Sequence, residues 1–398
     1  MLNIIGGGLS GTTFAIHAME QQNAPQTIRI FEPVQKLGYG AAYEPNHPTF
    51  RLNVPSSVMK MNWSNHPELS EWVDTGNAGE VDFRATLPDG RKFYKRRLFG
   101  NYLSETFENA VRGFSGKVEH IRETLTTLPA DETNVLASGV GEISQLGQPT
   151  HYGPTIIQNP YNLDQLKEIS ANASVLIVGS GLTALDIAAY LSHENHAGKI
   201  EMISRSGRLP LVDAVKIDED AVSLPTENSA AAWLKTRRTH CMANSNPFAA
   251  FSDVRADLRE NWHKFPEEMQ VRLLRHGLGF WNILRFRASP QTMGAWARLK
   301  QRKQARLTKR GYNAGTETAD IIINCTGPKV TNPFNLPLNP AAVKSKCDFG
   351  LDLNLNASVK GQSNLYAVGA TARSIFADLY GGPDISWQAK RLAEHLYA

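Results

Sequence analysis

An α/β fold is predicted by three observations. Leu2–Ile5 is a short apolar run that leads into glycines and then into a helix-forming stretch, Thr12–Met19. Ser174–Val178 does the same ahead of Thr183–Leu191, with Gly179 lying 173 positions after Gly6. Behind this second opening, Leu211–Arg310 is rich in helix formers and carries Trp233, Phe251, Leu258, Trp262, Phe265, Leu273, Phe280 and Trp296. Short apolar runs bounded by glycine read as buried parallel strands. A strand, a glycine-rich turn and a helix open a Rossmann βαβ unit. The spacing is far too long for a solenoid repeat, whose period is about 20–50 residues. The prediction is therefore two Rossmann-like domains with a helical insertion.

The remaining elements fall into place in chain order. Thr27–Glu32 reads as the second strand, and Asn101–Arg112 as a helix with Tyr102, Leu103, Phe107 and Val111 on one face. Asn134–Ser138, Lys199–Ser204, Thr318–Thr326 and Asn364–Gly369 read as further strands, and Ile385–Tyr397 as a terminal amphipathic helix. Pro45, Pro55 and Pro67 punctuate a loop-rich stretch around 38–68. The expected division is 1–165 with 328–398 as one domain and 166–327 as the other, the latter holding the helical segment 212–310.

Composition narrows the class. The 398 residues are 41% hydrophobic and 20% charged, which excludes disorder as the main state and suits two or three domains. No apolar run reaches the ~20 residues of a membrane span. The N-terminus has no basic region and no cleavage site of the secretory kind, so no signal peptide is expected. Cys241, Cys325 and Cys347 are far apart and form no CxxC, which excludes a zinc ribbon and a thioredoxin-type dithiol and points to the cytoplasm. The net charge of +4 suits an anionic small ligand and does not call for nucleic acid. Arg298–Arg310 is basic, but it has no stacking aromatics and reads as a solvated helix face. His240, His263 and His276 lack metal-ligand spacing, and no metal is expected.

The glycine motifs carry the chemistry. Gly6-x-Gly8-x-x-Gly11, with Leu9 and Ser10 inside it, follows a strand and opens a helix, and Glu32 ends the next strand 21 positions after Gly11, with Pro33 next. Gly6 permits the tight turn, Gly8 lets backbone approach a pyrophosphate, and Gly11 lets helix and strand pack closely. Glu32 suits ribose hydroxyls. The second motif is Gly179-Ser180-Gly181-Leu182-Thr183-Ala184, with alanine as the tolerated third residue. Its next strand ends in Ser204-Arg205-Ser206-Gly207-Arg208, with no acid. Arg205 suits the 2′-phosphate of NADPH, which a carboxylate would repel; the plainer reading is a solvated surface arginine. Gly139, Gly327 and Gly369 close later strands and join the candidate set. With one unit starting at residue 2 and a C-terminal segment available to return to it, FAD is expected in the first unit and NADPH in the second.

These residues resemble the two-dinucleotide-binding-domain flavoproteins, and within them a bacterial branch of FAD/NAD(P)-binding proteins related to flavin-dependent N-hydroxylating monooxygenases. The matching stretches run from end to end: GGGLSG (6–11), FEP (31–33), LGYGAAY (37–43), RLNVPSSVMKMN (51–62), RRLFGNYL (96–103), VLIVGSGLTALDIAAYL (175–191), ISRSGRLP (203–210), WNILRFRASP (281–290), NCTGP (324–328) and LYAVGA (365–370). The resemblance implies that Gly38, Gly40, Tyr43, Asn53, Val54 and Met59 line the FAD cleft. It implies that Leu182 and Thr183 meet the phosphates of NADPH, and that Asn53 is the polar partner of flavin or nicotinamide; its plainer role is a turn residue before Pro55. The FxGxxxHxxx(W/Y/F) fingerprint of Baeyer–Villiger enzymes is not matched by His151-Tyr152-Gly153.

The implied activity is an NADPH-dependent FAD monooxygenase that uses molecular oxygen to hydroxylate a small, amine- or amino-acid-like substrate. Two alternatives stay open at this point: a reductase or dehydrogenase without oxygen insertion, and a flavin-bearing sensor without turnover. Arg285, Arg287, Trp262 and Trp281 are candidates to shape a substrate site, though helical aromatic stripes usually pack as core.

Overall fold

The computed structural model describes residues 1–76, 82–139, 141, 143–147, 153–213, 224–225, 227–244, 247–328, 338 and 351–398. Cys347 and the His151-Tyr152 pair lie outside the described residues.

The fold is α/β with two parallel five-stranded sheets. The first holds β1 (Leu2–Ile5), β2 (Thr27–Phe31), β3 (Lys117–Ile121), β4 (Thr133–Leu136) and β10 (Leu365–Ala367), in the order β10-β4-β1-β2-β3. The second holds β5 (Thr155–Ile157), β6 (Val175–Val178), β7 (Ile200–Ser204), β8 (Ala305–Lys309) and β9 (Ile321–Asn324), in the order β5-β9-β6-β7-β8. Central strands β1 and β6 are buried along their whole length, which is why they read as unbroken apolar runs. In register, Ile4 of β1 lies between Ile30 and Val135, and Ile177 of β6 lies between Met202 and Ile323. The two sheets share one plan. In each, the opening strand is flanked by the next strand on one side and a later strand on the other, so a crevice opens at the carboxyl ends of β1/β4 and of β6/β9.

Helix α1 (Leu9–Met19) follows β1, and the C-terminal helix Gly382–Tyr397 packs along it. Short helices include α2 (Gly40–Tyr43), α3 (Leu69–Asp74) and α5 (Leu163–Lys167), and α4 (Arg96–Gly113) also packs against α1. Helix α6 (Leu182–His193) follows β6. The helical segment contains α7 (Ala230–Ala243), α8 (Pro247–Asn261), α9 (Glu267–Arg285) and α10 (Pro290–Gln301). Its own core gathers Trp233, Leu258, Trp262, Phe265 and Leu273. Full burial of one such large side chain contributes about 1.5–3 kcal/mol.

Two sequence expectations need correction. The basic run 298–310 is not one helix face: α10 ends at Gln301, and Ala305–Lys309 is the edge strand β8, whose Arg306 pairs with Glu201 at 3.2 Å. An edge strand carries charge because that discourages pairing with another chain, and the same charge hides the strand from a hydrophobic scan. Strands β3 and β5 were likewise not expected. Both are short and only partly buried, and they are held by their ladders with β2 and β9. The second sheet thus takes in Thr155–Ile157, on the N-terminal side of residue 165.

Candidate functional site

The first glycine turn is shaped by contacts that admit no side chain. Gly6 has φ +108°, and a Cβ there would lie 2.6 Å from the carbonyl oxygen of Ala137 at the end of β4. A Cβ on Gly11 would lie 1.9 Å from the Gly6 carbonyl oxygen, so α1 can start against β1 only with glycine at that position. Gly8 is the N-cap of α1, without a side-chain cap and without an acid in the first turn. The amide groups at this helix start therefore remain available to an anion, at the positive end of the helix dipole.

Around this turn the structure gathers most of the first expected set. Gly40 stands opposite Gly8, with a Cβ on Gly8 falling 3.3 Å from the Gly40 Cα. The Gly38 amide donates to the Gly7 carbonyl at 2.8 Å, tying the 38–43 loop to the turn. Glu32 accepts from the Gly7 amide through Oε2 at 2.9 Å, so part of its carboxylate holds the turn itself. Leu9 is half-buried, Ser10 is buried, and Pro33 is exposed beside Glu32. Gly139 (φ +71°) follows β4 and faces open space. Gly369 presses on Ser10 and donates its amide to Gln388 Oε1 at 3.0 Å. This is the C-terminal return that the sequence suggested: the C-terminal helix begins at Gly382, where a Cβ would meet Met61 Sδ at 3.2 Å and Met59 Cε at 3.3 Å.

The 38–61 residues occupy one neighbourhood. Tyr43 meets Phe99 edge-on at 4.9 Å, and burial pushes its hydroxyl up to about 12. Phe99 also lies near Gly382, beside Met59. The 51–56 segment runs alongside 92–96, with the Leu52 amide donating to Tyr94 O and the Ser56 amide to Lys92 O, each at 2.8 Å. Asn53 and Val54 are half-buried on that segment, and the Asn53 amide group has no hydrogen-bond partner among the described residues.

The second turn repeats the first. Gly179 has φ +125°, and a Cβ there would lie 2.2 Å from the carbonyl oxygen of Cys325 at the end of β9, as Gly6 does with Ala137. Gly181 caps α6 with no side-chain cap and open space around it. Leu182 and Thr183 are half-buried in the first turn, and Ala184 is fully buried, where the third glycine of the motif would stand. Gly327 follows β9 at φ +89° as Gly139 follows β4. The β7 end is braced by Ser180 Oγ, which lies 2.8 Å from Ser204 Oγ and donates to the Arg208 carbonyl at 2.6 Å. Arg205 is exposed, with no ion pair among the described residues. The Arg208 guanidinium stacks on Phe280 of α9 at 4.6 Å. Cys325 is buried, and burial pushes its thiol up, away from thiolate chemistry.

Sequence reasoning missed the groups that join these parts. Arg96, at the start of α4, contacts Asp186 of α6 at 2.5 Å and Tyr161 Oη at 2.7 Å, while Tyr161 donates to Asp186 at 2.8 Å. Burial raises the Asp186 carboxyl even against the opposing pull of Arg96. A lone acid in the apolar stretch ALDIAAYL was the available signal. A second network ties the helical segment to the C-terminal return: Arg285 and Arg255 reach Asp378 at 3.0 and 2.7 Å, and Arg285 reaches Asp384 at 2.8 Å. Arg285 is thus bound to carboxylates. Arg287 is buried, and desolvation lowers its pKa. Trp262 is buried and donates to Ser374 O at 3.0 Å, and Trp281 packs on Phe251.

Residues 3–142 match a family model described as FAD-NAD(P)-binding. The likeness to solved structures spans the chain. The ornithine N-hydroxylase of Kutzneria sp. 744 superposes with a TM-score of 0.64 at 12% identity, covering 99% of this chain and 98% of that one. The L-lysine 6-monooxygenase of Pseudomonas syringae gives 0.64 at 13% identity with the same coverage. The ornithine hydroxylase of Pseudomonas aeruginosa gives 0.58 at 14% identity, covering 100% and 98%. The fold is therefore shared along its full length with N-hydroxylating flavoenzymes, as the resemblance implied. No curated protein matches the sequence.

Proposed function

We propose that this protein is an FAD- and NADPH-dependent monooxygenase that uses molecular oxygen to hydroxylate a small amine- or amino-acid-like substrate. One observation carries the reading: a single chain holds two equivalent glycine cradles, each with an uncapped helix start, in the full-length fold of amine N-hydroxylases. Both cradles fit dinucleotides, because a Cβ at Gly6, Gly11 or Gly179 would collide with backbone that shapes the turn.

In this reading the Gly6–Gly11 turn, Glu32, Gly139 and Gly369 hold FAD, with Gly40, Tyr43, Val54 and Met59 along the cleft. The Gly179–Thr183 turn, Ser204, Arg205, Arg208 and Gly327 hold NADPH. When bound, the flavin supplies hydride acceptance from NADPH and oxygen activation. The protein's part is to orient the two nucleotides and exclude water. The helix start at Gly381–Gly382 directs a positive dipole end at the flavin side of the cleft, where negative charge on the reduced ring is stabilised. Asn53 offers an uncommitted amide as its polar partner. Among the described residues no helix is long and apolar enough to cross a membrane. Two described free thiols fit a cytoplasmic setting.

The test is product coupling. Purified holoprotein is supplied with NADPH, oxygen and a panel of diamines and basic amino acids, and hydroxylated product is counted against NADPH consumed. Substrate-dependent NADPH use with stoichiometric hydroxylated product is the expected result. NADPH oxidation that reduces dyes and never yields oxygenated product would replace the monooxygenase with a reductase. No NADPH oxidation at all would leave a flavin-binding sensor.

A further inference from the structure

Away from both glycine turns, three side chains converge where the two sheet units meet. His47 comes from the loop between α2 and the 51–56 segment, and His193 and Glu194 come from the far end of α6. The ligand-capable atoms of all three lie within 4.8 Å of one another. His47 Nε2 is 3.2 Å from Glu194 Oε1, and His193 Nδ1 is 2.8 Å from the same oxygen. His47 and Glu194 are 147 positions apart, so no local spacing announces the group, and the sequence reading expected no metal.

We propose that His47, His193 and Glu194 form a binding site for a divalent first-row transition cation of the zinc class, joining the two nucleotide-binding units. The donor set is two imidazoles and one carboxylate, a combination that zinc accepts while leaving a fourth position to water. Tetrahedral zinc with bonds of about 2.0–2.2 Å needs donors roughly 3.3–3.6 Å apart; the His47–Glu194 contact at 3.2 Å is near that spacing, and the His193–Glu194 contact at 2.8 Å opens when the cation replaces its hydrogen bond.

The site is also supported behind its ligands. Thr49 Oγ1 lies 2.8 Å from His47 Nδ1. The Thr49 amide also donates to that nitrogen at 3.4 Å, so Nδ1 accepts and Nε2–H donates to Glu194. A cation bound at Nε2 displaces that proton, and Nδ1–H then donates to the Thr49 hydroxyl, the tautomer a metal-bound histidine takes. The His47 ring is clamped between Phe50, at 5.3 Å, and Tyr190, at 4.7 Å, so its direction is set by packing. His193 and Glu194 are more exposed, with side chains 36% and 47% accessible, and can adjust to the cation. α6 rises about 18 Å along its 12 residues, which separates this site from the nucleotide phosphates at the helix start. A cation here pins the loop of one unit to the closing turn of a helix in the other.

The experiment is equilibrium dialysis of the full-length, flavin-loaded protein, stripped with chelator, against Zn²⁺, together with thermal unfolding at each concentration. The expected result is one Zn²⁺ per chain and a melting midpoint that rises with Zn²⁺. His193→Ala and Glu194→Gln each weaken binding by at least about tenfold and abolish the rise. Both side chains are exposed enough for these variants to fold, whereas His47→Ala also removes ring packing and is the weaker probe. His240→Ala, which removes a histidine paired with Asp253 at 3.0 Å in the helical segment, leaves binding unchanged. No stoichiometric binding, or binding that survives either exposed-ligand variant, overturns the proposal.

Discussion

A methyl group at Gly8 would sit 3.3 Å from the Cα of Gly40, close but tolerable, and the branched side chain of valine would not fit. Gly8→Val is therefore expected to purify as a folded protein with little flavin, read from the ratio of flavin to protein absorbance. Full flavin occupancy would remove Gly8 from the cofactor site. Gly11→Ala is harsher, since its Cβ would lie 1.9 Å from the Gly6 carbonyl oxygen; overpacking of this kind costs about 1–3 kcal/mol or more, and a lowered denaturation midpoint should show it. At the second turn, Arg205 is exposed and unengaged by its neighbours, so its removal should spare stability. Arg205→Ala is expected to raise KM for NADPH by roughly tenfold or more while leaving KM for NADH nearly unchanged, because only the former offers a 2′-phosphate. Equal effects on both coenzymes would cancel that role.

Between elements, two buried ionic networks decide how the parts are held. Arg96 of α4 and Asp186 of α6 link the first unit to the second, and both are largely shielded from water. Asp186→Ala leaves Arg96 without its carboxylate, and losing one partner of a buried pair costs about 3–5 kcal/mol. Chemical denaturation should register that loss; a change within error would show that Tyr161 or water compensates. The Asp378 network links the helical segment to the chain that returns to the first unit. Burial alone would raise the Asp378 carboxyl, but Arg285 and Arg255 outweigh it and hold the pKa below its ordinary 3.8. The folded state thus binds this proton less readily than the unfolded chain, so the stability it contributes is complete above pH 3.8 and is lost as pH falls toward the lowered value. Asp378→Asn should be less stable near neutrality and should show a shallower further loss on acidification, measured as denaturation midpoints against pH. An unchanged slope would mean that other carboxylates govern the acid limb.

For the molecule as a whole, the repeated plan was legible in the amino-acid order because its causes are local. Gly6 and Gly179 must be glycine for the same steric reason, and β1 and β6 read as apolar runs because both faces are covered. The return of Gly369 and the C-terminal helix to the first turn was also inferable, from a strand and helix left over after both units were assigned. What could not be read were features whose residues look ordinary in line. β8 is polar because it is an edge, Arg96 and Asp186 are 90 positions apart, and His47 meets Glu194 only through the docking of one unit on the other. Periodicity and turn chemistry act over a few residues, so sequence alone determined the α/β class, the two glycine turns and the residues that shape them. Burial, ion pairing and the junction between units depend on which distant side chains share a space. Only the tertiary structure decided that Arg285 is committed to carboxylates, that α4 is tied to α6, and that three ligand-forming side chains gather at the seam.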